Sequence, residues 1–448
     1  MNLVTLTLLS LALGYAVFER AGVAPSDWNL CLAATGVVAV IHFLLPHRSR
    51  LPSPDRIAVT CASIFLAIAA LQLLPMPIAV VRLLSPTRVD LLQATQPVMG
   101  DLPRFVALSA VPYETLQYLL TLGGYGLVIL LVRELTLRSN SQSWRTVWPL
   151  LIIGGLEAAL GLYQASTGFN EHATGTYANR DHYAGLLEMI LPFAAAYSLA
   201  LFQRETRQFT SRFVQLVAAC GVLVIAITLL AAIIQSVCRM AFLASLAGLF
   251  VGGTLALSSK RLGDDSKRPL RWRRKLLPLA GLGLAVFFAF LLLPHDALMG
   301  RLTELASTDK VSADARGQIW RDTTGLIKAF PVFGCGLGGF QSCFLRFKTV
   351  APMNTVDYAH NDYLQVLAEM GVIGFVSGLL FVGRLLQQTL RGVLGAHSVD
   401  ERYLAIGCLA SMTAMLLHSL VDFNMYVPAN GMVFAWVAGI ASIHAKQR

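Results

Sequence analysis

The feature that most constrains this chain is the recurrence, from end to end, of apolar runs of about 18 to 25 residues, each long enough to cross a bilayer as a helix. A backbone in hydrocarbon must satisfy every N–H and C=O within the protein, so runs of this kind specify a helical bundle. Charged residues make up only 13% of the sequence and hydrophobic ones 56%, whereas a soluble domain carries roughly 25% charge. Twelve spans are expected, at 3–18, 29–46, 57–83, 115–132, 147–165, 183–202, 213–235, 240–258, 275–294, 363–387, 402–422 and 428–445. The fold class is an all-α polytopic membrane protein, a single integral-membrane domain over 1–448 with one large loop at 295–362. The first run is short and has no basic residue before it, so it reads as an uncleaved span, not a signal peptide.

Orientation follows from the placement of Lys and Arg. One alternating set of loops, with the C-terminal "KQR", holds about 22 of the 35 basic residues, among them the run "SKRLGDDSKRPLRWRRK". The other set's short loops hold Arg20, Arg88, Arg104, Arg180 and Arg239. This asymmetry puts both termini in the cytoplasm. The net charge of +10 is then a topology signal that also favours anionic lipid. Nucleic-acid binding is not indicated, because the basic residues are scattered over separate loops. The long 295–362 loop lies outside, exempt from the charge rule by its length, and is a candidate for anion handling.

The cysteines lack metal-ligand spacing. Cys31, Cys61, Cys220 and Cys408 fall in or near spans and read as small packing residues. Cys335 and Cys343 share the outer loop, where oxidising conditions would allow a disulfide across the Gly-rich segment between them.

Two outer loops carry polar groups beside the membrane. "STGFNEHATGTYANRDHYAG" offers Asn179, Arg180 and His182, either as a polar turn capping the next helix or as one wall of a sugar or phosphate site. In the long loop, "ARGQIWRDTTGLIKAF" has the spacing of an amphipathic helix at the interface. "FGCGLGGF" formally matches GxGxxG at Gly334, Gly336 and Gly339, but it lacks the strand and helix of a dinucleotide site. It is a tight turn that brings amides near a ligand or simply reverses the chain. Arg239, between two apolar spans, faces a cavity or partner, or snorkels from a helix end. In "DYAHNDYLQVLAEMG", Asn361 or Asp362 with Gln365 reads as an N-cap, the latter pair fitting a capping box. That leaves Asp357 and His360, a histidine suited by its chemistry to general-base work at the outer end of a span. His418 and Asp422 read as a pair that holds helices together.

"ARGQIW", "PVFGCGLGGF", "HNDYLQVLAEMGVIG" and "HSLVDFNMYVPAN", in that order, resemble the O-antigen ligase and polymerase superfamily. The resemblance implies a GT-C-type membrane glycosyltransferase of the bacterial inner membrane with its site on the periplasmic side. Its donor would be a glycan on undecaprenyl pyrophosphate and its acceptor a lipid A-core sugar or another lipid-linked glycan, with neither metal nor nucleotide as cofactor. Carried onto this sequence, it makes Arg316 and Arg239 the pyrophosphate-holding arginines, although "SVCRMA" departs from the usual surroundings of the latter. His360 becomes the base, Arg316 and His360 the catalytic residues, and Asn179, Arg180, His182, Asp357, Asn361, Tyr363 and Asp422 supporting or sugar-binding groups. A transporter of the lipid-linked glycan, or a scaffold of an envelope assembly, is the competing class. Transport is disfavoured because polar residues concentrate at the outer face and not mid-membrane.

Overall fold

A computed structural model describes residues 2–44, 51–139, 144–204, 208–258, 309–349 and 355–444. Eight helices among these residues are long and apolar enough to cross a membrane. The expected span at 275–294 lies outside the described residues, as does much of the loop before 309.

The helices are α1 (Asn2–Phe18), α2 (Pro25–Leu44), α3 (Arg56–Leu73), α4 (Ile78–Leu84), α5 (Pro86–Met99), α6 (Pro112–Arg138), α7 (Trp148–Ser166), α8 (Arg180–Gln203), α9 (Phe209–Gln235) and α10 (Arg239–Ser258). After the undescribed stretch come α11 (Asp309–Ala329), α12 (Phe340–Phe344), α13 (Asp362–Gly395), α14 (Val399–His418) and α15 (Pro428–Ala441). Helix α8 is buried along most of its length, walled by α7, α9, α10 and α14. Small residues permit this closeness: Gly407 of α14 lies against the Phe193 ring, and a Cβ there would meet it at 2.9 Å. The Ser411 hydroxyl donates across the same interface to Met189 O, 2.7 Å. Of the span cysteines, Cys220 is exposed while Cys31, Cys61 and Cys408 are buried.

Three spans differ from expectation. The run at 57–83 is not one helix, because α3 stops at Leu73. Pro75 and Pro77 supply no N–H and force their predecessors out of helical geometry; Leu74 is extended at φ −68°, ψ 124°. The chain instead forms a two-residue antiparallel pairing, Met76 to Val106 and Pro77 to Phe105, and the short helices α4 and α5. The run at 363–387 is longer than expected and broken at Gly371, where φ is 64° and ψ −174°. The break exposes amides that the preceding turn satisfies: Val372 N–H donates to Pro331 O at 2.9 Å. Helix α15 is shorter than expected, ending at Ala441.

Candidate functional site

The stretch 355–361 is an extended segment held on both sides. The Ala359 N–H donates to Gln365 Oε1 at 2.6 Å, and its C=O accepts from Trp320 Nε1 at 3.0 Å. Asn361 caps α13 by accepting from Leu364 N–H, 3.0 Å, and its Nδ2 donates to Leu420 O, 2.9 Å. Between these anchors His360 has φ +49°. A non-glycine residue in that region costs of order 1 kcal/mol or more, and such positions cluster at functional sites. The Asp362–Gln365 capping box is not formed. Asn361 is the cap, Gln365 turns to Ala359, and the Asp362 carboxylate accepts from Ser419 Oγ at 2.7 Å and Met425 N–H at 3.3 Å. Asp362 N–H in turn donates to Ser419 O and Asp422 O. The start of α13 is thereby stitched to the turn that follows α14.

That stitching sets Asp422 among three histidines. Its Oδ1 is 3.4 Å from His360 Nδ1, and its Oδ2 is 3.8 Å from His182 Nε2 and 3.9 Å from His418 Nε2. Asp422 is buried, whereas the His360 side chain keeps 33% of its surface open. Burial opposes the Asp422 charge, but the hydrogen bond from His360 and the His182 and His418 charges outweigh it and hold the carboxyl below its ordinary value. The Phe423 ring stacks on Tyr358 with centroids 4.0 Å apart and takes the edges of His182 and His360 at 4.6 and 5.0 Å.

The sequence-derived candidates divide accordingly. His182, on the first turn of α8, joins the cluster. Asn179 spends its side chain capping that helix, accepting from Asp181 N–H at 2.8 Å, and Arg180 lies 4.0 Å from the Asp181 carboxylate. Asp357 does not orient His360: it accepts from Gln341 Nε2 at 2.7 Å, and Asp422 takes the orienting place. Tyr363 donates to Leu416 O at 2.7 Å and staples α13 to α14. Asp422 and His418, read from sequence as a helix-holding pair, belong to the His360 cluster. Arg239 is the exposed first residue of α10, and the adjacent Cys238 Sγ lies 3.9 Å from His418 Nε2. Arg316 is half-buried on α11, one turn before the Trp320 that holds Ala359.

The glycine turn reverses the chain, and its amides are taken up by groups of the protein itself. Gly338 and Phe340 N–H donate to the two oxygens of the Glu369 carboxylate at 2.9 and 3.2 Å, and Leu337 N–H donates to Gln72 Oε1 at 3.0 Å. Cys335 N–H and Gly336 N–H go to the carbonyls of Ala368 and Glu369. A Cβ on Gly334, whose φ is +72°, would come within 2.1 Å of Glu369 O. Cys335 and Cys343 are free thiols, without a bridge.

Sequence reading passed over Glu188 and Glu369. Their signal was present: "LLEMI" and "LAEMG" each put an acid inside an apolar helix, which is costly and selects for function or a specific partner. Tyr426 donates to Glu369 Oε2 at 2.8 Å, and Glu188 Oε2 lies 3.0 Å from His418 Nδ1.

Residues 223–379 match the protein-family model described as O-antigen ligase. No curated protein matches the chain. The matched stretch contains Arg239, Arg316 and His360, while His182, Glu188, His418 and Asp422 lie outside it.

Proposed function

We propose, from the match of residues 223–379 to the O-antigen ligase family model, that this chain is a membrane glycosyltransferase of the O-antigen ligase/polymerase type that moves a glycan from undecaprenyl pyrophosphate to a lipid A-core hydroxyl. The observation that carries the reading is a half-open His360 braced by buried Asp422, on the segment that α11, the helix of Arg316, holds through Trp320.

The chemistry follows from these groups. Asp422 accepts from His360 Nδ1–H and so leaves Nε2 with a free lone pair. Nε2 takes the proton of the acceptor hydroxyl as its oxygen attacks the anomeric carbon. The bond from that carbon to the phosphate oxygen breaks, and the electron pair leaves with undecaprenyl pyrophosphate. Arg316 and Arg239 hold the charge that grows on the departing phosphate, with bidentate contacts from permanently charged guanidiniums. One displacement inverts the anomeric carbon. Phosphates stay in the headgroup zone, so the His360 end of the bundle is the periplasmic end of a GT-C-type protein in the bacterial inner membrane, with both termini cytoplasmic. No metal takes part in this scheme.

The test is a transfer assay with purified full-length protein in nanodiscs, given undecaprenyl-pyrophosphate glycan with and without lipid A-core acceptor and read by mass spectrometry. Glycan joined to the core is expected. Longer lipid-linked glycans without core would make the chain a polymerase. Absence of any glycosidic product would overturn the transferase reading in favour of a transporter.

A further inference from the structure

Behind Asp422 lies a second carboxylate that the reaction above does not use. His418 is wedged between the two, with Nδ1 3.0 Å from Glu188 Oε2 and Nε2 3.9 Å from Asp422 Oδ2. Glu188 is 0% exposed, His418 1% and Asp422 3%. The second Glu188 oxygen, Oε1, has no hydrogen-bond partner among the described residues. A carboxylate so enclosed in an apolar helix is costly, and a bond between α8 and α14 could be had from uncharged groups, as Ser411 and Met189 show.

Both imidazole nitrogens of His418 face carboxylates. An imidazolium donates to Glu188 through Nδ1 and points Nε2–H at the Asp422 carboxylate, with Cys238 Sγ at the same 3.9 Å distance. With His418 an imidazolium and both acids ionised, the set of Glu188, His418 and Asp422 carries one net negative charge, which His360 neutralises when it takes a proton. Other groups face this set from every side. His360 approaches from the segment before α13 and His182 from α8. Asp362 of α13 reaches the turn through Ser419, Cys238 from the turn before α10 touches His418, and Asp181 acts on His182.

We propose that Glu188 and His418 are positioning residues that set the charge behind Asp422 and thereby the proton affinity of His360. The proposal rests on His360 as the base of the reaction above, but its test does not need the reaction. Diethyl pyrocarbonate reacts with neutral imidazole, so the pH dependence of its reaction at His360, read on the His360 peptide by mass spectrometry, reports that ring directly. The full chain in nanodiscs serves for both this measurement and the transfer rate.

Glu188→Gln removes a negative charge, and the His360 midpoint is expected to fall by roughly half a pH unit. His418→Gln removes a positive charge, and the midpoint is expected to rise by about as much. Glu188→Asp keeps the charge and should keep the midpoint, with elution as a single species confirming that each variant is folded. The acidic limb of the transfer rate should move with the chemical midpoint. Midpoints that stay put, or that move the same way in both variants, would overturn the proposal and leave the pair as a tie between helices. Opposite shifts in a protein that transfers no glycan would uphold the coupling while removing the transferase reading.

Discussion

Helices α8 and α14 run antiparallel, and their two ends hold carboxylates in opposite ways. At one end Asp400 takes Arg204 Nε and Nη2 on one oxygen at 3.0 and 2.7 Å, with both side chains partly exposed. At the other, Asp422 is buried and faces His360, His182 and His418. Arg384 and Asp55 form a second arginine pair, with Nε and Nη2 each on its own carboxylate oxygen at 3.0 and 2.7 Å. An arginine never releases its proton, so such a pair fixes a position and does nothing further. An imidazole can gain or lose a proton near neutrality, so three of them around one buried carboxylate make a place where a proton can be held and moved. The same acid type thus sits in an arginine pair at one end of the bundle and among imidazoles at the other, and the two settings differ in partner and in access to water.

The largest expected effect tests the chemical end. His360→Ala should lower transfer by roughly a hundredfold to ten-thousandfold, the range for a lost general base, in a protein that still elutes as a single species. A variant with full activity would remove the base role. Next, Arg316→Lys keeps the charge and loses the fork, at about 1.5–3 kcal/mol for a charge-assisted bond, or tenfold or more in rate. An unchanged rate would make Arg316 structural.

The smallest effects compare the two carboxylates directly. Asp400→Asn should cost less than about 1 kcal/mol, as exposed pairs do, and should leave transfer within about twofold. Asp422 differs in its acid response. Its folded-state pKa lies below the ordinary 3.8, so its contribution to stability is complete above that value and fades as pH falls through the folded one. The unfolding temperature of the native protein should therefore drop on acidification below about pH 4, and drop less in Asp422→Asn. Equal acid responses in the two would mean that the histidines do not stabilise the Asp422 charge.

Much of the fold was legible because hydrocarbon leaves few choices. Runs such as 147–165 and 183–202 became α7 and α8 with small changes at their ends. The errors came where side-chain hydropathy and backbone geometry disagree. Residues 74–83 are as greasy as a span, but two prolines end α3 there. "EMGVIGF" has no break in hydropathy, yet Gly371 leaves the helix because the turn at 331–334 supplies partners for the freed backbone.

The site was legible in part. Arg239, Arg316 and His360 stand in recognisable short motifs, and local chemistry gave His360 its candidacy. Asp357, three residues from His360, bonds Gln341, and the partner of His360 is 62 residues on, at Asp422. Glu188 and His418 lie 230 residues apart in the chain. No local pattern encodes such pairs.

Run length and hydropathy are enough to make this chain a bundle of membrane-length helices with polar groups gathered in the segments around 170–182, 239, 316 and 357–363. Hydrophobic run length and the need to satisfy the backbone act residue by residue along the chain, so they can be read from it. Which polar groups meet is settled by the packing of distant segments. That depends on the breaks at Pro75 and Gly371, on the glycine turn clamped by Glu369, and on the stitching of Asp362 to the turn carrying Asp422. A charge acquires its function from the few ångströms around it, and those are filled by residues from distant parts of the chain.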